Sequence, residues 1–290
     1  MSEHLFVEIA RPKVNLTLRI LGRRPDGYHE LASLVAFATG PADRVVLDCS
    51  RPRDITMTGP FAGGIAGVNL LDTAMALVTA AAQQDALRLG HVQLEKNLPV
   101  AAGVGAGSAD AGALLRALRC ANLESAETIN WRGIALRLGA DVPVCFTDRA
   151  AWMTGVGERL APVEGLPRID AVLVNPLVAV PADKTAQVFR ALAASPLPLD
   201  ADEQLAPGIS SREKLLALIN GGNDLEWAAC KVVPQISGVL EALRSTPGCR
   251  VAAMSGAGPT CFGVFDKAED VAGQLAQVHP EWWVRAASLG

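Results

Sequence analysis

At 290 residues, half of them hydrophobic but with only one Tyr and seven Phe, the chain suits one large or two ordinary domains around a mostly aliphatic core. A formal net charge of −4 argues against a nucleic-acid or anionic-membrane surface, because both need clustered Lys and Arg; an anionic ligand must be held by local features. Cys49, Cys120, Cys145, Cys230, Cys249 and Cys261 form no C-x-x-C pair and meet no His cluster, which weakens zinc and redox readings and suits reduced thiols in the cytoplasm.

The opening "MSEHLFVEIARPK" has two acids and no long apolar run, unlike a signal peptide. Residues 4–58 read as strands. In "KVNLTLRIL", Val14, Leu16, Leu18 and Ile20 alternate with Lys13, Asn15, Thr17 and Arg19, so the pattern predicts one strand with two distinct faces. Pro25, Asp26 and Gly27 mark a turn, and "HELASLVAFA" and "RVVLDC" follow as strands. A helix is predicted over 69–84, a strand at "HVQLEK", and helices over 108–119 and 127–138. "AAWMTGVGERLAPV" resembles a hairpin around Gly155 and Gly157. From "RIDAVLVNP" onward, helices near 183–194, 211–219 and 224–245 precede strands near 250–254 and 261–266. A helix near 268–277 and a strand near 282–287 close the chain. "ASPLPLDADEQLAPG" is the most linker-like stretch, and "AVLVNPLVAVPA" is too short and too proline-rich to span a bilayer, so a soluble protein is expected.

"LPVAAGVGAGSADAGALLRAL" places Gly103, Gly105 and Gly107 before an apolar face of Ala111, Leu114, Leu115 and Leu118. Glycine tolerates positive φ and lets a ligand reach the backbone; successive amides and a helix start then form an anion nest. Ser108 falls where the helix is expected to begin. A P-loop is excluded because no Lys follows Gly107, and the glycine spacing also fails the dinucleotide fingerprint and the G-x-S-x-G elbow. The bland alternative is a connector with Ser108 as a simple cap.

Other constellations stay open on the residues alone. Lys13 and Asn15, about 7 Å apart on one strand face, either look into a cleft or line a solvated surface. Tyr28 and His29 are either a stacking or hydrogen-bonding pair or a turn flank. Asp141 either caps a helix or accepts a proton in a cleft. "AAMSGAGPTCFGVF" is either a plain hairpin or a second backbone wall against the glycine loop.

Together these segments resemble the GHMP kinase superfamily, through "PVAAGVGAGSADA" as its phosphate loop and "MSGAGPTCF" as its late glycine loop. "ARPKVNLTL", "LGRRPDGYHEL", "GADVPVCF", "GVGERL" and "NDLE", in that order, place the chain nearest a branch acting on a cytidine-diphosphate sugar alcohol in non-mevalonate isoprenoid synthesis. The resemblance implies an α+β, two-lobed fold: residues 1–165 a lobe of mixed sheet and helices carrying the phosphate loop, residues 166–290 a lobe of antiparallel sheet and helices, and the active site in the cleft between them. It implies an ATP-dependent phosphotransferase, with Mg²⁺ riding on ATP, no protein-held metal, and a monomer or weak homodimer that binds neither nucleic acid nor membrane.

The same resemblance assigns residues. Asp141 is implied to deprotonate the 2-hydroxyl of the methylerythritol unit, with Lys13 orienting that group and keeping Asp141 ionised. Pro99, Val100, Ala101, Ala102, Gly103, Val104, Gly105, Ala106, Gly107, Ser108 and Ala109 are implied to wrap the ATP phosphates, and Asn69 and Lys96 to contact the nucleotide. Asn15, Tyr28, His29, Thr185 and Phe189 are implied to line the cytidyl-diphosphate site. Ala101, Ala106 and Ala109 depart from the usual Gly or Ser, and Asp110 stands where Asn is common; a carboxylate beside phosphate must point away or toward the metal. The alternatives are a sister kinase for homoserine, mevalonate or a galactose-type sugar, and a non-catalytic nucleotide-binding protein on this fold.

Overall fold

The computed structural model describes residues 4–64, 69–82, 87–198 and 204–290. In chain order its elements are β1 (Leu5–Ala10), β2 (Lys13–Asn15), β3 (Arg19–Arg23), β4 (His29–Thr39), β5 (Asp43–Asp48), β6 (Asp54–Thr58), α1 (Leu70–Ala81), β7 (His91–Glu95), α2 (Ala106–Ala121), α3 (Trp131–Leu138) and α4 (Val142–Thr147). There follow β8 (Ala151–Gly155), β9 (Arg159–Pro162), β10 (Ile169–Asn175), α5 (Lys184–Leu192), α6 (Arg212–Asn220), α7 (Glu226–Val232), α8 (Gln235–Ser245), β11 (Val251–Met254), β12 (Cys261–Val264), α9 (Ala268–Val278) and β13 (Trp283–Leu289). These elements divide between two compact units, each made of separated stretches of chain.

The first unit comprises Met1–Pro12, Ala42–Val100 and Gly105–Asp148. Its sheet has the order β1-β5-β7-β6, antiparallel except for the β6–β7 pair. α2 packs on β1 and β5 and against α1, α3 and α4, so eleven of its sixteen residues are buried. Small side chains permit this. At Gly112 a Cβ would lie 2.7 Å from the backbone of Cys145 in α4, so the two helices approach at a distance only glycine allows.

The second unit comprises Lys13–Pro41, Ala101–Val104 and Arg149–Gly290. Its antiparallel sheet runs β11-β12-β10-β13-β4-β8-β9, with β2 and β3 also paired to β4. β10 lies inside the sheet, between β12 and β13, which is why "IDAVLVN" is buried almost throughout. Ile236, Val239, Leu240 and Leu243 turn one face of α8 into a core shared with Val172, Val174 and Phe265. Residues 165 and 166, the lobe boundary that the resemblance implies, lie within this unit, between β9 and β10.

Several expectations need correction. "KVNLTLRIL" is not one two-faced strand: β2 ends at Asn15, β3 starts at Arg19, and Lys13, Val14, Asn15, Leu16, Thr17 and Leu18 are all buried. The ladder breaks because the Thr17 hydroxyl, not a main-chain carbonyl, takes the Leu34 amide at 3.1 Å, while Leu18 turns to bridge Asn223. The expected 224–245 helix is two helices. Pro234 lacks an N–H and restricts the residue before it, so α7 stops at Val232. α2 starts two residues ahead of Ser108, with Gly105 at its N-cap in the left-handed region (φ 61°); Ser108 is therefore inside the helix and does not cap it. α1 ends at Ala81, and positions 83 and 84 of the predicted helix lie outside the described residues, as do 199–203 of the linker-like stretch. The 150–163 hairpin forms as β8 and β9.

Candidate active site

The glycine segment owes its shape to alternation. Ala101, Gly103 and Gly105 have φ of 55°, 79° and 61°, while Ala102 and Val104 between them do not cross to positive φ. Left-handed residues at every second position curl successive amides toward one side, which is the geometry of an anion nest. Glycine adopts this freely; Ala101 does so at a cost of about 1–2 kcal/mol.

The carbonyls of this segment are all spoken for within the second unit. Ala102 O accepts the Thr260 amide (2.9 Å), and Val104 O accepts the Lys13 amide (3.0 Å). Gly103 O accepts the Ser255 hydroxyl (3.0 Å), and Ala101 O accepts the Lys184 ammonium (3.4 Å). In a trans peptide the next N–H points opposite to its carbonyl. The amides of Ala102, Gly103, Val104 and Gly105 are thus turned away from these partners, and among the described residues none of them makes an intramolecular hydrogen bond. The turn joining β11 and β12 is therefore both things the sequence allowed, a hairpin and a wall that holds the glycine segment. At Gly103 a Cβ would lie 2.6 Å from Gly258 O.

Lys13 and Asn15 are held in the same unit. Lys13 Nζ donates to Asn15 Oδ1 (2.9 Å), and Asn15 Nδ2 donates to Ser33 Oγ (2.7 Å), which donates to Thr17 O (2.6 Å). The Asn15 amide donates to Ser255 Oγ (3.1 Å). This chain fixes the Asn15 amide with its oxygen toward Lys13. The structure thus reads Lys13 and Asn15 as a buried pair, not a solvated face.

His29 and Phe189 meet as stacked rings, with centroids 4.6 Å apart and 28° between planes. The ring partner of His29 is thus Phe189, not Tyr28. Tyr28 is 64% exposed at the end of a turn whose Asp26 carboxylate accepts its amide. Burial, then the Arg23 charge, pulls the His29 pKa below 6.5, so the imidazole is neutral at pH 7. Thr185 is exposed on the first turn of α5, the helix that carries Phe189.

In the first unit, Asp141 is the half-buried residue preceding α4. Its carbonyl accepts the Cys145 amide (3.2 Å), but its carboxylate makes no capping bond, so the helix does not explain the acid. Asn69 caps α1, its Oδ1 accepting the Leu71 amide (3.0 Å); its buried Nδ2 has no partner among the described residues. Lys96 faces inward. Its ammonium donates to Asp43 and to Asp110 (2.6 Å), and all three side chains are buried. Asp43 Oδ1 also accepts the amides of Asn97 (2.5 Å) and Leu98 (2.8 Å), just before Pro99. Burial pushes the Asp110 carboxyl up to about 8 against the pull of the Lys96 ammonium, with Asp43 adding to the rise. Asp110 thus points into the unit, to Lys96, and the triad ties the residues before the glycine segment to the first turns of α2. Pro99 is buried and Val100 exposed, and the amides of Ala106, Gly107 and Ser108 open α2 without intrahelical acceptors, while Ala109 donates to Gly105 O (2.7 Å).

The sequence alone missed Ser255, Thr260, Lys184, Ser33 and Asp43. The first two lie in a turn recognised only as glycine-rich; Asp43 and Lys184 carry no local signal, because their partners are distant in the chain.

A sheet-and-helix unit that holds a run of small residues, alternately at positive φ, against a late glycine turn has the arrangement of a small-molecule kinase of the GHMP type. The families described as GHMP kinases N terminal domain and GHMP kinases C terminal match residues 69–149 and 209–282. A 4-diphosphocytidyl-2-C-methyl-D-erythritol kinase of a Bradyrhizobium sp. is 46% identical over 295 residues, covering 97% of this chain and 96% of that protein. One of Rhodopseudomonas palustris is 46% identical over 293 residues, covering 97% and 96%. A crystal structure of 4-(cytidine 5'-diphospho)-2C-methyl-D-erythritol kinase superposes with a TM-score of 0.75 at 35% identity, over 98% of this chain and 99% of that one. A Leishmania major mevalonate kinase shares the fold alone (TM-score 0.65, 15% identity, 98% and 95% covered). The chain belongs to the 4-diphosphocytidyl-2-C-methyl-D-erythritol kinase family of GHMP kinases, and it is an ATP-dependent kinase. No helix among the described residues is long and apolar enough to cross a membrane.

Proposed function

We propose that this chain transfers the γ-phosphoryl group of MgATP to the 2-hydroxyl of 4-diphosphocytidyl-2-C-methyl-D-erythritol, a step toward isoprenoid precursors in the cytoplasm. The observation that carries this reading is the row of four carbonyls, Ala101 to Val104, occupied by internal donors while the following four amides have no acceptor among the described residues. Amides so directed are a fixed field for a polyphosphate, requiring no reorganisation when it arrives. The unpaired amides that open α2 add the positive end of the helix dipole. The buried Nδ2 of Asn69, without a partner among the described residues, supports a nucleotide contact there.

Phosphoryl transfer leaves the protein mainly positioning and charge stabilisation to perform. Asp141 takes the proton of the attacking hydroxyl, and Lys13, oriented by Asn15, supplies positive charge to the reacting oxygen. Mg²⁺ enters this reading with the phosphates of ATP, whose charge it neutralises. His29 and Phe189 offer an aromatic surface for the cytosine, flanked by Tyr28 and Thr185. Six free cysteines favour a reducing compartment.

The test is coupled ADP release with this substrate beside homoserine, mevalonate and galactose, in wild type and Asp141→Asn. Turnover of the cytidyl substrate alone is expected, with Asp141→Asn folded, binding ATP, and slower by about 10²–10⁴-fold. Preference for another acceptor overturns the substrate; undiminished turnover in the variant overturns the base.

A further inference from the structure

Lys184 is a buried amine whose charge the mechanism above does not use. It is the first residue of α5, and its ammonium donates to Gly258 O and Ala101 O (3.4 Å), one carbonyl from each glycine segment. Among the described residues no carboxylate pairs with it. On its own helix, Asp183 pairs with Arg190 at the surface. On α7, packed against α5, Glu226 pairs with Arg244, and Lys231 lies over the Trp227 ring. Residues 101–104 and 255–260 carry no titratable side chain.

The place is costly for a cation. Burial without a counter-ion opposes the charged form, and the first residue of a helix sits at the positive end of its dipole. Burial accordingly pushes the Lys184 pKa down from 10.5 to about 8, with no charged neighbour contributing. Two carbonyls need only neutral donors. A charge held there at a loss to stability calls for an anion elsewhere that rewards it.

We infer that Lys184 is a positioning residue for the nucleotide, fastening Ala101 and Gly258 together so that the amides after Ala101 keep their direction, and lending its charge to the bound polyphosphate. The inference rests on the nucleotide reading of the glycine segment. The Ala101 carbonyl is the first of the four that orient those amides, and Ala101 is the non-glycine residue held at positive φ there. Fixing its carbonyl keeps the strained residue from relaxing.

The test compares wild type, Lys184→Met and Lys184→Gln by steady-state kinetics and thermal unfolding from pH 7 to 10. Lys184→Met is expected to raise KM for ATP about tenfold, leaving kcat and KM for the second substrate within about threefold. Lys184→Gln, which keeps the donors and loses the charge, falls between. In wild type KM for ATP rises through about pH 8 as the amine loses its proton; in Lys184→Gln it does not. Stability moves the other way. Between about pH 8 and 10.5 the unfolded chain holds the proton that the folded chain has released, so wild type gains stability as pH rises and the variants do not. An ATP KM unchanged in both variants, or a flat wild-type profile with turnover intact, overturns this role alone. A wild type that neither binds ATP nor releases ADP overturns the kinase reading and this inference with it.

Discussion

Ser255 donates its hydroxyl to the Gly103 carbonyl at 3.0 Å while accepting the Asn15 amide at 3.1 Å. One side chain thereby fixes the glycine segment and the strand that carries Lys13. Gly103 lies so close to this turn that its missing Cβ would fall 2.6 Å from Gly258 O and 2.8 Å from Ser255 O. Gly103→Ala therefore meets two penalties: backbone atoms that cannot move aside, and a φ of 79° that L-residues avoid. The expected result is a loss of about 2–4 kcal/mol of stability or an equivalent displacement of the segment. ATP affinity falls at least about tenfold in titration calorimetry, while binding of the second substrate changes little. Wild-type ATP affinity in Gly103→Ala would remove the segment from the nucleotide site.

Lys96, Asp43 and Asp110 place one ammonium between two buried carboxylates. Burial first, and then the neighbouring Asp43 carboxylate, outweigh the Lys96 ammonium, so Asp110 holds a proton well above the usual carboxylate range, to about 8. A carboxyl raised in the folded state stabilises fully below its unfolded pKa of about 4, and that contribution is lost as pH rises through about 8. Asp110→Asn removes the titration and leaves a balanced pair. Its melting temperature relative to wild type is expected to rise between pH 5 and 9. Lys96→Met strands two acids and is expected to lose about 3–5 kcal/mol at pH 7. A pH-independent difference between Asp110→Asn and wild type in thermal melts contradicts the shared-proton account.

His29 and Phe189 stack at 4.6 Å, and the imidazole is uncharged at pH 7. As an aromatic surface for cytosine, the pair acts on one substrate. Phe189→Ala is expected to raise KM for the cytidyl substrate about tenfold, since stacking on a base contributes about 1–3 kcal/mol, with KM for ATP unchanged. His29→Ala follows the same direction. Steady-state kinetics with each substrate varied in turn will show it; a rise in the ATP KM instead places these rings beside the nucleotide.

Much of the fold is legible in local pattern. The helix from Asn69, the apolar face of α2, the β8–β9 hairpin and the glycine run before α2 each express a preference settled within a few residues. Other features depend on partners that are distant in the chain. Thr17 displaces a ladder bond because Leu34, on another strand, offers its amide; Lys96 turns inward because Asp43 and Asp110 are there to receive it. Such choices depend on partners 14 to 53 residues away, which no periodicity records.

The sequence by itself determined that a run of tiny residues precedes a helix, that the core is aliphatic, and that the motifs are those of a GHMP kinase, because side-chain size and turn chemistry act locally. Only the tertiary structure decided which way the peptide planes of 101–105 face. That direction is imposed by Lys13, Lys184, Ser255 and Thr260, donors gathered from three distant stretches of chain, and a peptide whose carbonyl is held on one side must present its neighbour's N–H on the other.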